Sequence, residues 1–214
     1  MEPSTDSVEH IKRKLRAYRE PQPARAKNTA AIILESAQKI LVREGRKGLS
    51  ARKLAKECGL STGSIYGNFP SISAVLYALY RDRMEKDLAQ HRKFYGQDTG
   101  DSSVSELIEA FAKEDARMEC GGRLDLELAK AIEEDANLRR LRDHNMMLQR
   151  EMLFKALRRR NDEASDSQLL AQASYMQGLS RLAFELRHVS NVDEKELVLD
   201  ITLDLVKRVA NFPR

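Results

Sequence analysis

A short uncharged stretch carries the side chains with the clearest binding chemistry in this 214-residue chain. Hydroxyl, phenol and amide groups alternate there with two glycines, in the order TGSIYGN. Such side chains donate hydrogen bonds, and glycines between them let another molecule approach the backbone closely. The composition suits a helix inserted in the major groove of DNA, with the phenol and the amide reaching phosphate oxygens. The predicted DNA-facing residues are Thr62, Gly63, Ser64, Tyr66, Gly67 and Asn68.

Two capped helices and a glycine turn are predicted to position this face. Ser50 is the expected N-cap of the first helix, because its hydroxyl can accept a hydrogen bond from a backbone N–H two or three residues on. Gly59 can adopt a positive φ and end that helix abruptly. Ser61 is the expected cap of the second helix, which Ile65 and Phe69 anchor in the core. The spacing therefore predicts a helix-turn-helix.

Basic charge is concentrated around this motif. Residues 10–56 contain 14 Lys or Arg against three Glu, whereas residues 98–137 contain 12 Asp or Glu against four Lys or Arg. The whole-chain net charge of +4 therefore hides a polarised molecule. We expect the basic segment to face phosphate, and we interpret the acidic one as a solvated surface. Further predicted DNA contacts flank the recognition face: Ser50, Arg52, Lys53 and Ser61.

Residues 28–79 resemble the N-terminal domain of the TetR family of bacterial transcriptional regulators. The resemblance includes a first helix that ends in glycine, ILESAQKILVREG, and the sequence S-x-G-S-I-Y-x-x-F. One position departs from the pattern, because Ile72 stands where the family usually has a lysine that contacts phosphate. Either the backbone N–H groups at this helix start hold the phosphate alone, or a basic residue elsewhere compensates. The matching residues are Ser50, Leu54, Ala55, Gly59, Leu60, Ser61, Gly63, Ile65, Tyr66 and Phe69.

The resemblance implies an all-α, nine-helix architecture in two domains. A three-helix DNA-binding domain is expected at residues 27–72, and a helical ligand-binding and dimerisation domain at 73–214. Residues 1–26 form a basic extension, whose segment 8–20 is either an arm on DNA or a disordered tail. Apolar periodicity after residue 70 predicts helices and no strands. Their expected bounds are 71–91, 104–119, 123–134, 136–160, 166–189 and 194–211.

The last two predicted helices carry apolar stripes too wide for a single core contact, which favours dimerisation. The resemblance implies that these helices form a four-helix bundle between two subunits. Two-fold symmetry would then place two DNA-binding domains on the halves of a palindromic operator. The expected dimer residues are Met176, Gly178, Leu179, Leu182, Leu186, Ile201 and Leu205.

The resemblance also implies a small-molecule effector among the middle helices, whose binding releases DNA. Methionine-rich walls adapt to varied apolar ligands, so the effector is expected to be largely apolar. Plain core packing is the alternative at each position, and a fully packed interior would indicate an architectural DNA-binding protein without a ligand. The resemblance implies that the protein represses transcription. An activator of the same fold is the other alternative. The candidate pocket residues are Met84, Leu88, His91, Phe111, Met118, Leu126, Met146, Met147, Phe154, Tyr175 and Phe184.

The sequence lacks the signals of a membrane protein, a secreted protein or an enzyme. The sequence has no apolar run of bilayer length and no signal-peptide core, so a soluble, cytoplasmic protein without membrane contact is predicted. It contains no G-x-S-x-G, P-loop or G-x-G-x-x-G motif, and its two cysteines match no zinc spacing. No enzymatic activity, cofactor or metal site is therefore predicted.

Overall fold

The computed structural model describes residues 24–107, 109–110, 122–189 and 192–210, and every regular element in these ranges is helical. The all-α prediction is confirmed. Residues 104–107 and 109–110 are also helical, and they begin the helix predicted at 104–119. In chain order the elements are α1 (Ala24–Glu44), a 3-10 turn (Arg46–Gly48), α2 (Ala51–Cys58), α3 (Thr62–Asn68), α4 (Ile72–Gly96), α5 (Arg123–Glu134), α6 (Ala136–Arg158), α7 (Asp166–Val189) and α8 (Val192–Ala210).

The observed helix bounds follow the predicted ones closely after residue 50, with differences of at most five residues. Helix α1 begins earlier than predicted, at Ala24. The proposed basic segment 8–20 lies outside the described residues. Within the described ranges no helix is both long enough and apolar enough to cross a lipid bilayer.

The chain divides into two compact units, and the boundary falls between Leu79 and Tyr80. The expected boundary was the start of α4, after residue 72. The first turns of α4 belong to the first unit because Val75, Leu76 and Leu79 are at most 3% exposed. Helix α4 therefore contributes to the core of the first unit before it enters the second.

The first unit is held together by the apolar faces of α1, α2, α3 and the start of α4. Helix α1 packs on α2 and buries one face, whose residues recur at helical spacing from Ile33 to Leu41. Ala55 is 4% exposed, and its small side chain allows the close helix crossing that the sequence indicated. Ile65 anchors α3 with only 1% of its surface exposed. The completely buried members of this core are Ile33, Ala37, Ile40, Leu41, Leu54, Ala74 and Val75.

The second unit is a bundle in which α5 packs on α6, α6 on α7, and α7 on α8. Helices α7 and α8 are antiparallel, since Gln172 near the start of α7 donates from Nε2 to the carbonyl oxygen of Val209 at the end of α8, at 3.3 Å. One apolar cluster fills the space between α6, α7 and α8. Its buried members are Leu157, Ala164, Leu169, Ala173, Met176 and Val206.

A buried carboxylate ties the loop after α4 to the end of α6. The side chains of Asp98 and Arg160 are only 5% and 4% exposed, and they form an ion pair. Asp98 also accepts from Arg159 Nη2 at 2.8 Å and from the backbone N–H of Gly100 at 3.2 Å. Arg160 donates further to the carbonyl oxygens of Ser102 and Ala156, at 2.7 and 2.9 Å. The hydrogen bond from Arg160 holds the pKa of Asp98 well below its usual value.

Candidate nucleic-acid interface

Helix α2 begins at a serine cap, as the sequence predicted. Ser50 is extended, with φ −141°, and its Oγ accepts from the backbone N–H of Lys53 at 3.3 Å. This hydrogen bond satisfies one of the N–H groups that the first turn of a helix leaves unpaired. Ala51, Leu54 and Ala55 turn into the core, so the opposite face of α2 is left to solvent.

A left-handed glycine ends α2 and sets the direction of α3. Gly59 has φ 65° and ψ 29°, a conformation that costs a residue with a Cβ about 1–2 kcal/mol. Its N–H donates to the carbonyl oxygen of Lys56 at 3.3 Å, while the N–H of Leu60 reaches back to Ala55 at 2.9 Å. This pair of bonds is the Schellman pattern, which closes a helix with its last carbonyl groups satisfied.

Helix α3 is capped by Ser61 and presents a small, polar face to solvent. Ser61 Oγ accepts from the N–H of Ser64 at 3.1 Å. Tyr66 is 55% exposed. A Cβ added at Gly67 would meet no atom within 4 Å, so the surface there is open. The exposed residues on this face are Ser61, Thr62, Gly63, Tyr66 and Gly67.

Two predicted contact residues of α3 are engaged within the helix itself. Asn68 is half-buried, and its Nδ2 donates to the carbonyl oxygen of Ser64 at 2.8 Å. One of its amide hydrogens is thereby used to hold the end of α3, which differs from the predicted reach toward phosphate. Ser64 is half-buried as well, and its hydroxyl lies 2.9 Å from that of Ser61.

Ion pairs between α1 and α2 occupy part of the basic charge of this unit. Arg43 donates to both carboxylate oxygens of Glu57, at 3.2 and 2.9 Å, and these hydrogen bonds hold the pKa of Glu57 below its usual value. Lys53, a predicted DNA contact, is paired with Glu44. The two pairs clamp α2 against the end of α1, a role that sequence spacing alone did not indicate.

The basic side chains left on the outer face of α2 are Arg52 and Lys56. Both are exposed, and neither has an ion-pair partner within the described part of the chain. They lie four residues apart, so they are neighbours on one helix face. Lys56 was not among the predicted DNA contacts, although its spacing from Arg52 indicates the same helix face.

Ile72 lies in the first turn of α4, directly after the residue that caps the helix. Ser71 Oγ accepts from the N–H of Ala74 at 3.1 Å and therefore caps the helix. Ile72 is half-buried, so its side chain has a packing role. The first backbone N–H groups of α4 have no carbonyl partner within the helix, which leaves them suited to an anion.

The predicted pocket residues fall into different environments of the second unit. Met84 and Leu88 are buried, and His91 Nδ1 lies 2.9 Å from the carbonyl oxygen of Asp87. Leu126, Met146 and Phe154 are half-buried. Phe111 and Met118 lie outside the described residues, as does the side chain of Phe184.

Two of the predicted pocket residues lie at the surface of the subunit, since Met147 and Tyr175 are 43% and 67% exposed. Tyr175 lies seven residues before Leu182, which places both on one stripe of α7. Tyr175 therefore belongs to the exposed apolar stripe rather than to an interior wall.

The stripe predicted for dimerisation is largely exposed. Leu182, Leu186, Ile201 and Leu205 are 50%, 40%, 51% and 42% exposed, and a Cβ at Gly178 would meet nothing within 4 Å. Met176 differs, since it is 3% exposed and packs in the subunit's own core. It sits one residue from Tyr175, which rotates it about 100° away from the stripe. Leu179 is half-buried against the same core.

Solved structures share this all-α fold. A TetR-family transcriptional regulator from Cytophaga hutchinsonii has a TM-score of 0.66 and 17% identity, with 87% of this chain and 97% of that one covered. The reduced form of NemR from E. coli has a TM-score of 0.65 and 18% identity, over 85% and 96% of the two chains. The multidrug binding protein EbrR, complexed with malachite green, has a TM-score of 0.58 and 18% identity, over 87% and 98%.

The first unit contains a segment that matches a known family. A search of curated proteins found no match. Residues 33–79 match the family described as bacterial regulatory proteins, tetR family. This segment contains both helices of the motif, the Gly59 turn and the start of α4. This segment of the chain therefore matches the tetR family of bacterial regulatory proteins.

Proposed function

We propose that the protein is a homodimeric transcriptional repressor that binds a palindromic operator and is released by a small-molecule effector. The observation that carries this proposal is the face of α3. Its cap, its turn and its core anchors hold a short helix whose outer surface is small, polar and open. A surface of this shape fits the major groove, where close backbone approach and short hydrogen-bonding side chains are needed.

Contacts to phosphate are divided between three elements in this proposal. Tyr66 donates its hydroxyl hydrogen to a phosphate oxygen, while Arg52 and Lys56 supply positive charge from α2. The N–H groups at the start of α4 take the place of the family lysine at position 72. Ser61, Thr62 and Ser64 lie closer to the base edges, because they occupy the first turn of the recognition helix.

Dimerisation in this proposal uses the exposed stripe of α7 and α8. Isolated apolar side chains on a surface are ordinary, but a continuous row on two adjacent helices indicates an interface. The stripe contains Tyr175, Gly178, Leu182 and Leu186 on α7 and Leu197, Ile201 and Leu205 on α8. A second copy of the chain would bury it and give the two-fold symmetry that a palindromic site requires.

Effector release is supported by the ligand held in a related fold, since EbrR was solved with malachite green. An effector acts by binding one arrangement of the dimer better than another, which shifts the population away from the DNA-binding form.

The experiment is selection of genomic DNA fragments by the purified protein at physiological salt, followed by sequencing. We expect an inverted repeat near a promoter, and reduced reporter transcription from that promoter when the protein is present. Tyr66→Ala should weaken binding to this repeat by roughly three- to tenfold, the value of one hydrogen bond. The exposed Met147→Ala serves as the control and should bind as the wild type does. Recovery of sequence-independent DNA would favour an architectural role, and increased transcription would favour an activator.

A further inference from the structure

Polar side chains occupy the contact between α4, α6 and α7 in the second unit. Gln149 of α6 donates from Nε2 to the carboxylate of Asp87 on α4, at 2.6 Å. Gln177 of α7 donates to the carbonyl oxygen of Met146 at 2.8 Å and lies 3.4 Å from Gln149 Oε1. We refer to Asp87, Gln90, Asn145, Gln149 and Gln177 as the polar seam.

Two amides of the polar seam have buried atoms without a hydrogen-bond partner among the described residues. Both Nε2 and Oε1 of Gln90 are shielded from solvent, and neither has a hydrogen-bond partner among the described residues. Oδ1 of Asn145 is likewise shielded from solvent and has no partner among the described residues, and Asn145 is only 6% exposed. Buried polar atoms are almost always paired, because an unpaired one loses its hydration without compensation. Two such side chains in one seam therefore need an explanation.

The unpaired amides lie on either side of the Asp87–Gln149 hydrogen bond. Helices α4 and α6 run in the same direction, since Asp87 meets Gln149 and, further along, Asp98 meets Arg160. Gln90 follows Asp87 by nearly one turn, and Asn145 precedes Gln149 by one turn on the same face. The two amides are thus roughly 10 Å apart along the seam at 1.5 Å per residue, a span that one small molecule covers.

Charges next to the seam are already matched. Arg83, one turn before Asp87, forms an ion pair with Asp125 at 3.0 Å. Asp87 itself accepts the amide hydrogen of Gln149 and lies 4.0 Å from the ring of His91. What the seam offers beyond these pairs is neutral, with two carbonyl acceptors and one amide donor.

We propose that the effector is a neutral, polar molecule that hydrogen-bonds to Gln90 and Asn145. It donates an O–H or N–H to each amide oxygen and accepts a hydrogen bond from Gln90 Nε2. Compounds rich in hydroxyl or amide groups meet this requirement, whereas a purely apolar compound leaves all three atoms unpaired. This inference rests on the proposed effector-controlled repressor, and it replaces the largely apolar effector that methionine content predicted.

Thermal unfolding of the full-length protein tests whether the amides are kept at a cost to stability. Gln90→Met preserves side-chain volume and helix propensity, so it should raise the unfolding midpoint by about 2–4 °C. Gln149→Met removes a paired amide and should lower the unfolding midpoint. Gln97→Met, at an exposed position, gives the reference midpoint for a Gln-to-Met change. Asn145→Leu should raise the midpoint above the exposed neighbour His144→Leu. If Gln90→Met and Asn145→Leu fail to exceed their baselines, their amides are paired within the chain and the proposal is overturned.

Binding of the neutral apolar dye Nile red tests the ligand class directly. Wild-type protein should bind the dye weakly, and the double variant Gln90→Met, Asn145→Leu should bind it at least tenfold more tightly. An unchanged affinity would place apolar binding elsewhere and overturn the proposal.

Retention of the selected DNA fragment, measured on the same proteins without dye, separates the two proposals. Wild type and double variant should bind DNA equally, because the seam lies in the second unit. If the wild type does not retain the DNA fragment, the proposed repressor function is contradicted. If the wild type retains DNA but the unfolding midpoints and the dye affinity do not change as expected, only the proposed effector class is contradicted.

Discussion

The buried pair of Asp98 and Arg160 predicts a large loss of stability on a change of one atom. Asp98→Asn keeps the shape of the side chain but leaves the guanidinium of Arg160, which is 4% exposed, without its counter-charge. Breaking a buried ion pair by removing one partner costs about 3–5 kcal/mol. For a chain of this size each kcal/mol lowers the midpoint by about 2–4 °C, so a drop of roughly 10 °C is expected.

Denaturant unfolding followed by circular dichroism measures this difference. Glu151→Gln is a matched control on α6, because it removes an ion pair with Lys155 whose side chains are 55% and 61% exposed. Exposed pairs of this kind contribute about 0.3–0.5 kcal/mol. If Asp98→Asn is no more destabilising than Glu151→Gln, the loop after α4 does not depend on its carboxylate, and the reasoning fails.

The same carboxylate gives stability a defined dependence on pH. The pKa of Asp98 is lowered in the folded protein, chiefly by the hydrogen bond from Arg160. The folded state therefore binds a proton less readily than the unfolded state, whose Asp pKa is about 3.9. The contribution of Asp98 to the free energy of unfolding is fully present above that pKa. It is lost as the pH falls toward the pKa of Asp98 in the folded protein. Below pH 4 the wild type should lose stability faster than Asp98→Asn, and parallel pH profiles would contradict this assignment.

Three further substitutions probe the first unit. Gly48→Ala places a Cβ 2.5 Å from that of Glu44, so the 3-10 turn must shift, and we expect lower stability together with weaker DNA binding in a filter assay. Gly67→Ala meets no atom within 4 Å and should stabilise α3 by about 0.5–1 kcal/mol. Its added methyl should nevertheless weaken DNA binding, and full affinity would count against this face as the interface. Arg52→Gln should reduce the slope of log affinity against log salt by about 0.9, whereas Tyr66→Ala should leave it unchanged.

Local signals predicted the motif well because its shape is decided within a few residues. The caps at Ser50 and Ser61 and the positive φ of Gly59 depend on hydrogen bonds that span at most five residues. Asn68 has a local partner that its sequence position did not indicate, since a carbonyl oxygen one turn away accepts one of its amide hydrogens.

Side-chain roles in the second unit depended on helix rotation, which composition does not determine. Met176 and Tyr175 are neighbours of similar size, yet one is buried in the subunit core and the other is exposed. The polar seam was missed because Gln and Asn on a helix usually face solvent. Their burial follows from the parallel packing of α4 on α6, which joins residues 62 positions apart.

Affinity and selectivity for DNA arise from different elements in the proposed complex. Residues 60–79 contain no charged side chain, so α3 cannot neutralise phosphate. Among the described residues, α2 supplies positive charge through Arg52 and Lys56, while Glu44 of α1 and Glu57 of α2 hold Lys53 and Arg43 in internal pairs. Each cation held in such an internal pair lowers the affinity for DNA of any sequence, since non-specific affinity grows with the number of phosphates neutralised. Discrimination then rests on the fit of an uncharged helix into the groove, which requires the backbone approach that its two glycines allow.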